Sequence, residues 1–357
     1  MPVSLRAAGH LLALSPMILL IAGVACGAPW FVFAFFFAVL PVVRMFMPDD
    51  LAEPEDVEQI SRVQFIVLKS IPLVYVLLWA GVLPWAMFVV GQLQPGQLAC
   101  FALSFWVVTS LNLTIAHELL HRPVWWQRIA ARLLAGSIGY FQMLEEHRFH
   151  HVHAGDLGDS PVVGESVFAY AMKRYIRSFQ VAQEWERLDQ LRRRRAPWIN
   201  RIFWTALMTM AVLGCFGLVA GWRGIVFHGV VIAGTAFTMQ AITYIQHWGL
   251  TDRLSDGLGA VGYSWEDRCV MQAWVTLNHA YHGHHHVRPT LPYFRLGGLA
   301  DSPRLPASYP VMLLMAIIPP VFERTMRRRL DAWIAMQGIE PPRTRKPCAN
   351  LGEFFKT

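Results

Sequence analysis

Six runs of mostly apolar residues, each close to the length that crosses a bilayer, are the feature that most limits how this chain can fold. In a helix, about 20 apolar residues span the hydrocarbon of a membrane. Charged residues make up only 15% of the chain, below the ~25% of a typical soluble domain. We therefore predict an all-α membrane protein with six transmembrane helices, at about residues 10–27, 29–47, 63–90, 98–116, 202–221 and 224–245.

The loops between these runs predict the orientation of the chain. The loops after the first, third and fifth runs are very short, whereas those after the fourth and sixth hold most of the arginines. Because positively charged loops stay on the cytoplasmic side, we expect a protein of the cell inner membrane with both termini in the cytoplasm. The net charge of +7 is then explained by arginines that face anionic lipid, so no nucleic-acid partner is expected.

No internal repeat or low-complexity segment divides the sequence. We expect a single integral-membrane domain over residues 1–340 and a flexible C-terminal tail over residues 341–357. The five cysteines are scattered without a Cys-x-x-Cys pair, which excludes a local four-cysteine iron site such as a fused rubredoxin.

Histidines are concentrated in a few short stretches, the richest of which extends over residues 278–290. This stretch holds five of the 14 histidines of the chain: His279, His282, His284, His285 and His286. Imidazole is the commonest protein ligand for borderline metals, so the stretch predicts metal binding. Taken alone, it would also fit a solvated polar loop.

An earlier pair, His117 and His121, forms the motif His-Glu-x-x-His with Glu118. Residues i and i+4 share one face of a helix, so the two imidazoles can converge on one metal ion. The same motif is the signature of zinc metalloproteases, in which the glutamate is the general base. The motif by itself therefore leaves a membrane-embedded protease open, besides a structural pair of histidines at a helix end.

Two further groups raise the number of candidate ligands to at least nine. The first, with the spacing His-x-x-His-His, is His147, His150 and His151, and the second is the single His247 at the end of the sixth run. The same spacing occurs in the richest stretch, at His282, His285 and His286. A protease zinc site needs only three protein ligands, so this surplus predicts two metal ions at the cytoplasmic face of the membrane. Imidazole suits zinc, copper, iron and nickel, but many histidines beside an apolar cavity favour oxygen activation at iron.

Longer segments around these histidines carry a family resemblance. They are HELLHR (117–122), EHRFHHVH (146–153), GDSPVVGES (158–166), YIQHWGLTDR (244–253), HGHHHVRPTLPYFRL (282–296) and ADSPRLPASYPVM (300–312). In sequence and in order, they resemble segments of the integral-membrane alkane monooxygenases, the AlkB-like branch of the fatty-acid desaturase/hydroxylase superfamily. The resemblance covers nearly the whole chain.

This resemblance implies a membrane-bound, non-haem di-iron monooxygenase that uses O₂ to hydroxylate unactivated C–H groups, such as the terminal methyl groups of n-alkanes. Electrons would come from rubredoxin or a ferredoxin, together with its reductase. The histidine-containing segments are known in this family as boxes. Carried over box by box, the resemblance implies nine ligands for the two iron ions: His117, His121, His147, His150, His151, His247, His282, His285 and His286.

The resemblance also implies residues that support the ligands. Glu118 would orient ligand imidazoles through hydrogen bonds, and Asp159 and Asp301 are further candidates for that role. Three further histidines near the ligands in the sequence, His153, His279 and His284, are not included in the ligand set.

The second box departs from the family pattern E-H-x-x-G-H-H, because it is one residue shorter and has Phe149 in place of the glycine. On a helix this shortening rotates His147 by about 100° relative to His150, so His153 is an alternative ligand. The spacing is typical of desaturases, and Gln246 replaces the usual glutamate before the histidine of the YIQHWGLTDR segment. Two alternatives therefore stay open: a monooxygenase of methyl groups on xylene- or cymene-like aromatics, and a fatty-acyl desaturase with the same metal site.

Two other features have a functional and a structural interpretation. The phenylalanine-rich second run could guide a hydrophobic substrate from the bilayer, although contact with lipid or packing between helices explains most of these residues better. Residues 192–195, all arginine, could dock an acidic electron carrier or simply anchor the cytoplasmic side. A metal transporter would need ionisable residues within the spans, and the six runs hold almost none besides Lys69.

Overall fold

The computed structural model describes residues 3–47, 49, 60–152, 160–250, 262 and 264–338. Over these residues the chain is helical, without strands, which confirms the predicted all-α class. The expected tail over residues 341–357 lies outside the described residues. The helices are α1 (Val3–Gly9), α2 (Ser15–Ala25), α3 (Phe31–Ala34), α4 (Leu40–Arg44), α5 (Arg62–Gln92), α6 (Pro95–Leu120), α7 (Trp125–Ser137), α8 (Met143–Val152), α9 (Val167–Arg192), α10 (Arg201–His247), α11 (Val270–Val275), α12 (His282–Val287), α13 (Tyr309–Ala316) and α14 (Pro319–Gln337).

Four helical segments within the described residues are long and apolar enough to cross a membrane: Ala7–Ala25, Arg62–Gln92, Pro95–Leu120 and Arg201–His247. The first of them joins α1 and α2 through a 3₁₀ turn at His10–Leu14. The predicted second run forms a shorter apolar helix, Phe31–Arg44, which contains a π-helical turn at Phe35–Val39. The chain is therefore a membrane protein by its helices, and the count of six spans stays a prediction.

Helix α10 is too long to be one crossing, because 47 residues extend over about 70 Å. It is broken at Gly221, whose backbone is non-helical (φ 62°, ψ −152°). Residues on either side of the break contact each other, because the Phe216 ring stacks on His228 with centroids 4.4 Å apart. A Cβ at Gly224 would lie 2.0 Å from the carbonyl oxygen of Phe216, so this approach requires glycine. The break coincides with the predicted boundary between the fifth and sixth runs.

Polar side chains join the apolar helices to one another. In lipid the hydrophobic effect does not drive helix association, so packing and hydrogen bonds between helices determine it. Bonds of this kind connect α5 with α6 and α7, and α6 with the second half of α10. They are Tyr75 to Asn112 (2.6 Å), Trp79 to Ser137 (2.9 Å), Trp106 to Thr238 (2.9 Å) and Thr109 to Thr235 (2.8 Å).

Short helix α8, which carries the second histidine box, is held by two buried ion pairs. Glu145 pairs with Arg132 of α7, and the next residue, Glu146, pairs with Arg174 of α9 at 2.7 Å. The guanidinium of Arg174 also donates to the Gln240 amide oxygen of α10 at 2.9 Å. Because the two carboxylates face different helices, they fix the rotation of α8 about its axis and therefore the directions of its histidines.

Candidate metal centre

Nine histidines lie together where the ends of α6 and α10 meet α8 and α12. They form two groups, and within each group the nitrogen atoms that could bind a metal lie within 4.8 Å of one another. The five-histidine cluster is His117, His121, His147, His151 and His285, and the four-histidine cluster is His150, His247, His282 and His286. The structure thus brings together all nine of the residues that the sequence analysis names, and their role as metal ligands stays a prediction.

Helical geometry decides how α8 divides its histidines between the clusters. Residues four apart lie on nearly the same face, whereas adjacent residues differ by about 100°. His147 and His151 therefore both enter the five-histidine cluster, with their Nε2 atoms 2.8 Å apart, and His150 turns to the other cluster. The Nε2 atom of His147 also lies 3.0 Å from that of His121, so the shortened box keeps His147 in the site. The alternative, His153, lies outside the described residues.

Helix α12 divides its histidines in the opposite sense. His282 and His286, four residues apart, have their Nε2 atoms 2.9 Å apart in the four-histidine cluster. His285 turns to the five-histidine cluster, where its Nε2 atom lies 2.9 Å from that of His151. His284 belongs to neither cluster, and its Nδ1 accepts a hydrogen bond from the Gly297 backbone amide at 3.2 Å. Helices α8 and α12 therefore each contribute to both clusters.

Residues 277 and 278 hold α12 in place through a backbone conformation that is rare for residues with a side chain. Leu277 and Asn278 both have positive φ angles, 49° and 56°. Asn278 donates to the carbonyl oxygens of Tyr293 (2.9 Å) and Leu296 (3.2 Å). Its side-chain amide oxygen, Oδ1, lies 3.2 Å from the Nε2 of His10, so the turn before α12 is tied to the first transmembrane segment. Asparagine tolerates the left-handed region well, which is the only sequence signal for this turn.

The carboxylate of Glu118 does not turn toward the histidines. It accepts from the Arg122 guanidinium at 3.0 Å and from the Tyr293 amide at 3.5 Å. Arg122 also donates to the carbonyl oxygens of Thr290 (3.1 Å) and Leu291 (2.8 Å). The sequence predicts a hydrogen bond between Glu118 and a ligand imidazole, and none is found within the described residues. The pair instead fastens the end of α6 to the segment that follows α12.

Asp301 and Gln246, which are also named from the sequence, contact groups other than the clustered histidines. Asp301 is exposed, and the bond recorded for it is between its backbone carbonyl and the Trp333 indole, at 2.9 Å. The Gln246 amide donates to the Tyr309 hydroxyl at 3.1 Å rather than to a histidine. Asp159 lies outside the described residues. Contacts of this kind depend on tertiary packing, so motif spacing cannot specify them.

Five of the clustered histidines outside the spanning helices are neutral at ordinary pH. Burial lowers the pKa of His121 to about 3 and that of His151 to about 2, from an ordinary value of 6.5. Burial, and then the neighbouring imidazoles, also hold the pKa of His147, His285 and His286 well below that value. A neutral imidazole offers one nitrogen lone pair, the form that a metal requires.

Hydrogen bonds alone cannot satisfy the five-histidine cluster. The Nε2 atom of His147 lies close to two others of the same kind, those of His121 and His151. A neutral ring nitrogen carries either one proton or one lone pair, so it cannot make two good bonds in its ring plane. The Nε2 atom of His117 is buried and has no hydrogen-bond partner within the described residues. A cation that accepts a lone pair from each ring satisfies all of these atoms, so the residues fit a bound transition metal.

An apolar cavity of about 120 Å³ lies on the far side of His279 from the clusters. Its walls include Phe36 and Phe37 from the π-helical turn, and Trp106 from α6. Phe37 and Trp106 are stacked with ring centroids 5.8 Å apart. His279 also lines the cavity, and its ring centroid is 4.3 Å from that of His117. His279, which the sequence analysis leaves outside the ligand set, therefore forms the wall between the cavity and the metal centre.

Comparison with known proteins places this arrangement in a family. The sequence model of the fatty acid desaturase family matches residues 93–314, more than half of the chain. The chain belongs to the fatty acid desaturase family. The match includes all nine clustered histidines, so the boxes noted in the sequence lie within the family domain.

Several known proteins align with most of the chain. Alkane 1-monooxygenase 1 of Pseudomonas aeruginosa is 30% identical, over 84% of this chain and 82% of the relative. Alkane 1-monooxygenase 2 of Alcanivorax borkumensis is 27% identical, over 85% and 83%. The xylene/toluene monooxygenase hydroxylase component of Pseudomonas putida is 24% identical, over 67% and 66%. The chain is thus an alkane-monooxygenase-like oxidoreductase of hydrophobic substrates, as its boxes predict.

Proposed function

We propose that this chain is a membrane-bound di-iron monooxygenase that hydroxylates the terminal methyl groups of hydrophobic molecules such as n-alkanes. The observation that carries the proposal is the contact of His279 with both the apolar cavity and the ring of His117. A substrate in this cavity would lie beside the five-histidine cluster. The alkane 1-monooxygenase relatives support the same reaction.

Two iron ions, held by the five- and four-histidine clusters, would supply the activation of O₂ that an unreactive C–H bond requires. The overall reaction balances as R–H + O₂ + 2 e⁻ + 2 H⁺ → R–OH + H₂O. The protein's part is to hold the imidazoles neutral and converging, and to keep water away from the substrate. The stacked rings of Phe37 and Trp106 exclude water on the cavity side.

The two electrons would come from rubredoxin or a ferredoxin, reduced by its reductase. Arg192, Arg193 and Arg194 are exposed at the end of α9, which supports the docking of an acidic carrier. By the distribution of positive loops, we place this surface, the metal centre and both termini on the cytoplasmic side of the inner membrane. We also propose that residues 1–340 form one domain.

Two alternatives remain within the same metal site. The aromatic wall formed by Phe36, Phe37 and Trp106 favours a ring substrate, and the xylene/toluene monooxygenase relative supports oxidation of an aromatic methyl group. The His-x-x-His-His spacing of the second box is typical of desaturases, which would remove two hydrogens instead of inserting oxygen. The reaction products distinguish these three activities.

The test combines metal analysis with product analysis. Cells that co-express the chain with rubredoxin and its reductase are fed n-alkanes or methyl-aromatics under ¹⁸O₂, and the purified protein is assayed for metals. We expect two iron ions per chain and ¹⁸O in a primary alcohol. Zinc in place of iron would overturn the proposal, and alkenes as the sole products would replace it with a desaturase.

A further inference from the structure

The cavity beside the five-histidine cluster has polar groups that a plain hydrocarbon would not use. Four of these groups are hydroxyls that donate at 2.8 Å to a carbonyl oxygen three or four residues earlier in the chain. They belong to Ser110, Thr114, Thr238 and Thr276. Each of these hydroxyls already donates its hydrogen to a carbonyl oxygen of its own segment, so none of them needs a ligand as an acceptor.

Gln272 is different. Its side chain lines the cavity and is only 4% exposed, and its Oε1 atom has no hydrogen-bond partner within the described residues. Its backbone carbonyl is already occupied by the hydroxyl of Thr276. A buried amide oxygen without a donor is unfavourable, and a ligand that fills the cavity lined by this side chain can supply the missing donor.

The wall that contains Gln272 also reaches the metal centre. His279, seven residues further along, lines the same cavity. Its ring centroid lies 4.3 Å from that of His117 and 5.2 Å from that of His282. A molecule bound to Gln272 in this cavity would therefore be separated from His117 and His282, one in each cluster, by the ring of His279.

The cavity has no charge to offer. Among the described residues that line it there is no Lys, Arg, Asp or Glu. A carboxylate or an ammonium group would be desolvated there without a counter-charge, which is costly. The donor that meets Gln272 is therefore a neutral group.

We propose that the cavity selects apolar molecules that carry one neutral hydroxyl group, whose O–H donates to Gln272 while the apolar body lies against Phe37 and Trp106. This substrate class rests on the proposed monooxygenase function. The bound hydroxyl is unchanged in the reaction, HO–R–H + O₂ + 2 e⁻ + 2 H⁺ → HO–R–OH + H₂O. The electrons come from the same iron–sulfur or rubredoxin-type carrier.

The test compares the binding of octan-1-ol and n-octane to the purified full-length protein in detergent. Each ligand displaces 1-bromooctane, whose bromine quenches the fluorescence of Trp106 in the cavity. The variant Trp106→Phe gives the background from the other tryptophans. The ratio of the n-octane and octan-1-ol dissociation constants is measured for the native chain and for Gln272→Met, which keeps the shape but lacks the amide. Comparing ratios in one detergent cancels the partition of each ligand into the micelle.

We expect the native ratio to favour octan-1-ol and to fall by at least about tenfold in Gln272→Met, since a buried acceptor is lost. Thr114→Val is the matched control, because its hydroxyl is bonded to the carbonyl of Leu111, and its ratio should equal the native one. Gln272→Leu is a second apolar replacement, in case Gln272→Met does not fold.

Equal ratios in the native chain and in the folded Gln272 variants would overturn the proposal. Tighter binding of ionised octanoate than of octan-1-ol would overturn it as well, because the cavity would then select a charged head group. The assay measures binding without turnover, so its outcome does not depend on whether the protein catalyses the proposed monooxygenase reaction. A protein that binds octan-1-ol through Gln272 but forms no hydroxylated product would contradict the monooxygenase reaction alone.

Discussion

The Nε2 atoms of His151 and His285 lie 2.9 Å apart, although the two residues are 134 positions apart in the chain. The contact joins α8 to α12, and each of these helices also sends histidines to the other cluster. Neither helix can move without changing both clusters. The two clusters are therefore structurally coupled, and a change in the geometry of either is expected to affect both.

Replacement of His285 should remove metal, whereas replacement of its neighbour His284 should not. His285 belongs to the five-histidine cluster, while His284 accepts a hydrogen bond from the Gly297 amide. We expect His285→Asn to lose at least one metal ion per chain and about 100-fold or more in activity, beyond the usual effect of changing a supporting residue. Elemental analysis and turnover measure both effects. His284→Asn keeps an acceptor for Gly297, and its loss of metal would contradict the assignment.

The metal-free protein should lose stability as the pH falls below about 6.5. The folded pKa values of His121 and His151, about 3 and about 2, lie below the unfolded value of 6.5. The unfolded chain therefore binds more protons between these values, and stability is present above pH 6.5 and decreases below it, by about 1.4 kcal/mol per pH unit for each such histidine. Denaturant unfolding in detergent from pH 8 to pH 5 measures this slope. His121→Gln/His151→Gln should have a shallower slope, and an unchanged slope would contradict the explanation.

Loss of Glu146 should destabilise the fold strongly. Its pair with Arg174 is buried, with side chains 3% and 5% exposed, so Glu146→Ala leaves a buried guanidinium without its carboxylate. We expect a loss of about 3–5 kcal/mol in the free energy of unfolding. The control is Glu323→Ala, which removes an exposed pair with Arg327 and should cost less than about 1 kcal/mol. Equal effects of the two variants in denaturant unfolding would show that burial of the pair is unimportant.

The break in α10 provides a prediction about close packing. In Gly224→Ala the new Cβ would meet the carbonyl oxygen of Phe216 at 2.0 Å, so the two halves of α10 must separate. We expect a loss of about 1–3 kcal/mol or more, measured as a lower thermal midpoint in detergent. Gly229→Ala, on the same helix, adds a Cβ with nothing within 4 Å and should leave the midpoint unchanged. If the two variants melt alike, the halves do not pack as described.

Much of the metal centre is predictable from the sequence, because its rules are local. Spacing of i and i+4 places His147 with His151 and His282 with His286, as the clusters have them. The division of His285 from His286 depends on where α12 lies relative to α8, which is a property of tertiary packing. The charged neighbours of α8, Arg132 and Arg174, come from other helices and have no signature in the box itself.

The contacts of Glu118 and His279 show where motif reasoning fails. The family resemblance predicts that Glu118 orients ligand imidazoles, yet its carboxylate pairs with the guanidinium of Arg122, one helical turn away. His279 has no place in a motif, so it is left aside, and its position at the cavity wall follows from the left-handed turn at Leu277 and Asn278. Backbone conformations of this kind are weakly encoded, since many sequences adopt them only under tertiary constraint.

The sharing of α8 and α12 between the clusters also sets an order for biosynthesis. When the ribosome has made His151, it must add 134 more residues before His285 exists. At about 5–20 residues per second this takes roughly 7–27 seconds. For that interval the earlier histidines are in place without their partners, so a growing chain cannot hold the finished centre. Metal insertion is consequently a late event, completed after the transmembrane segments have entered the membrane, and a truncated chain that ends before α12 should emerge as an empty scaffold.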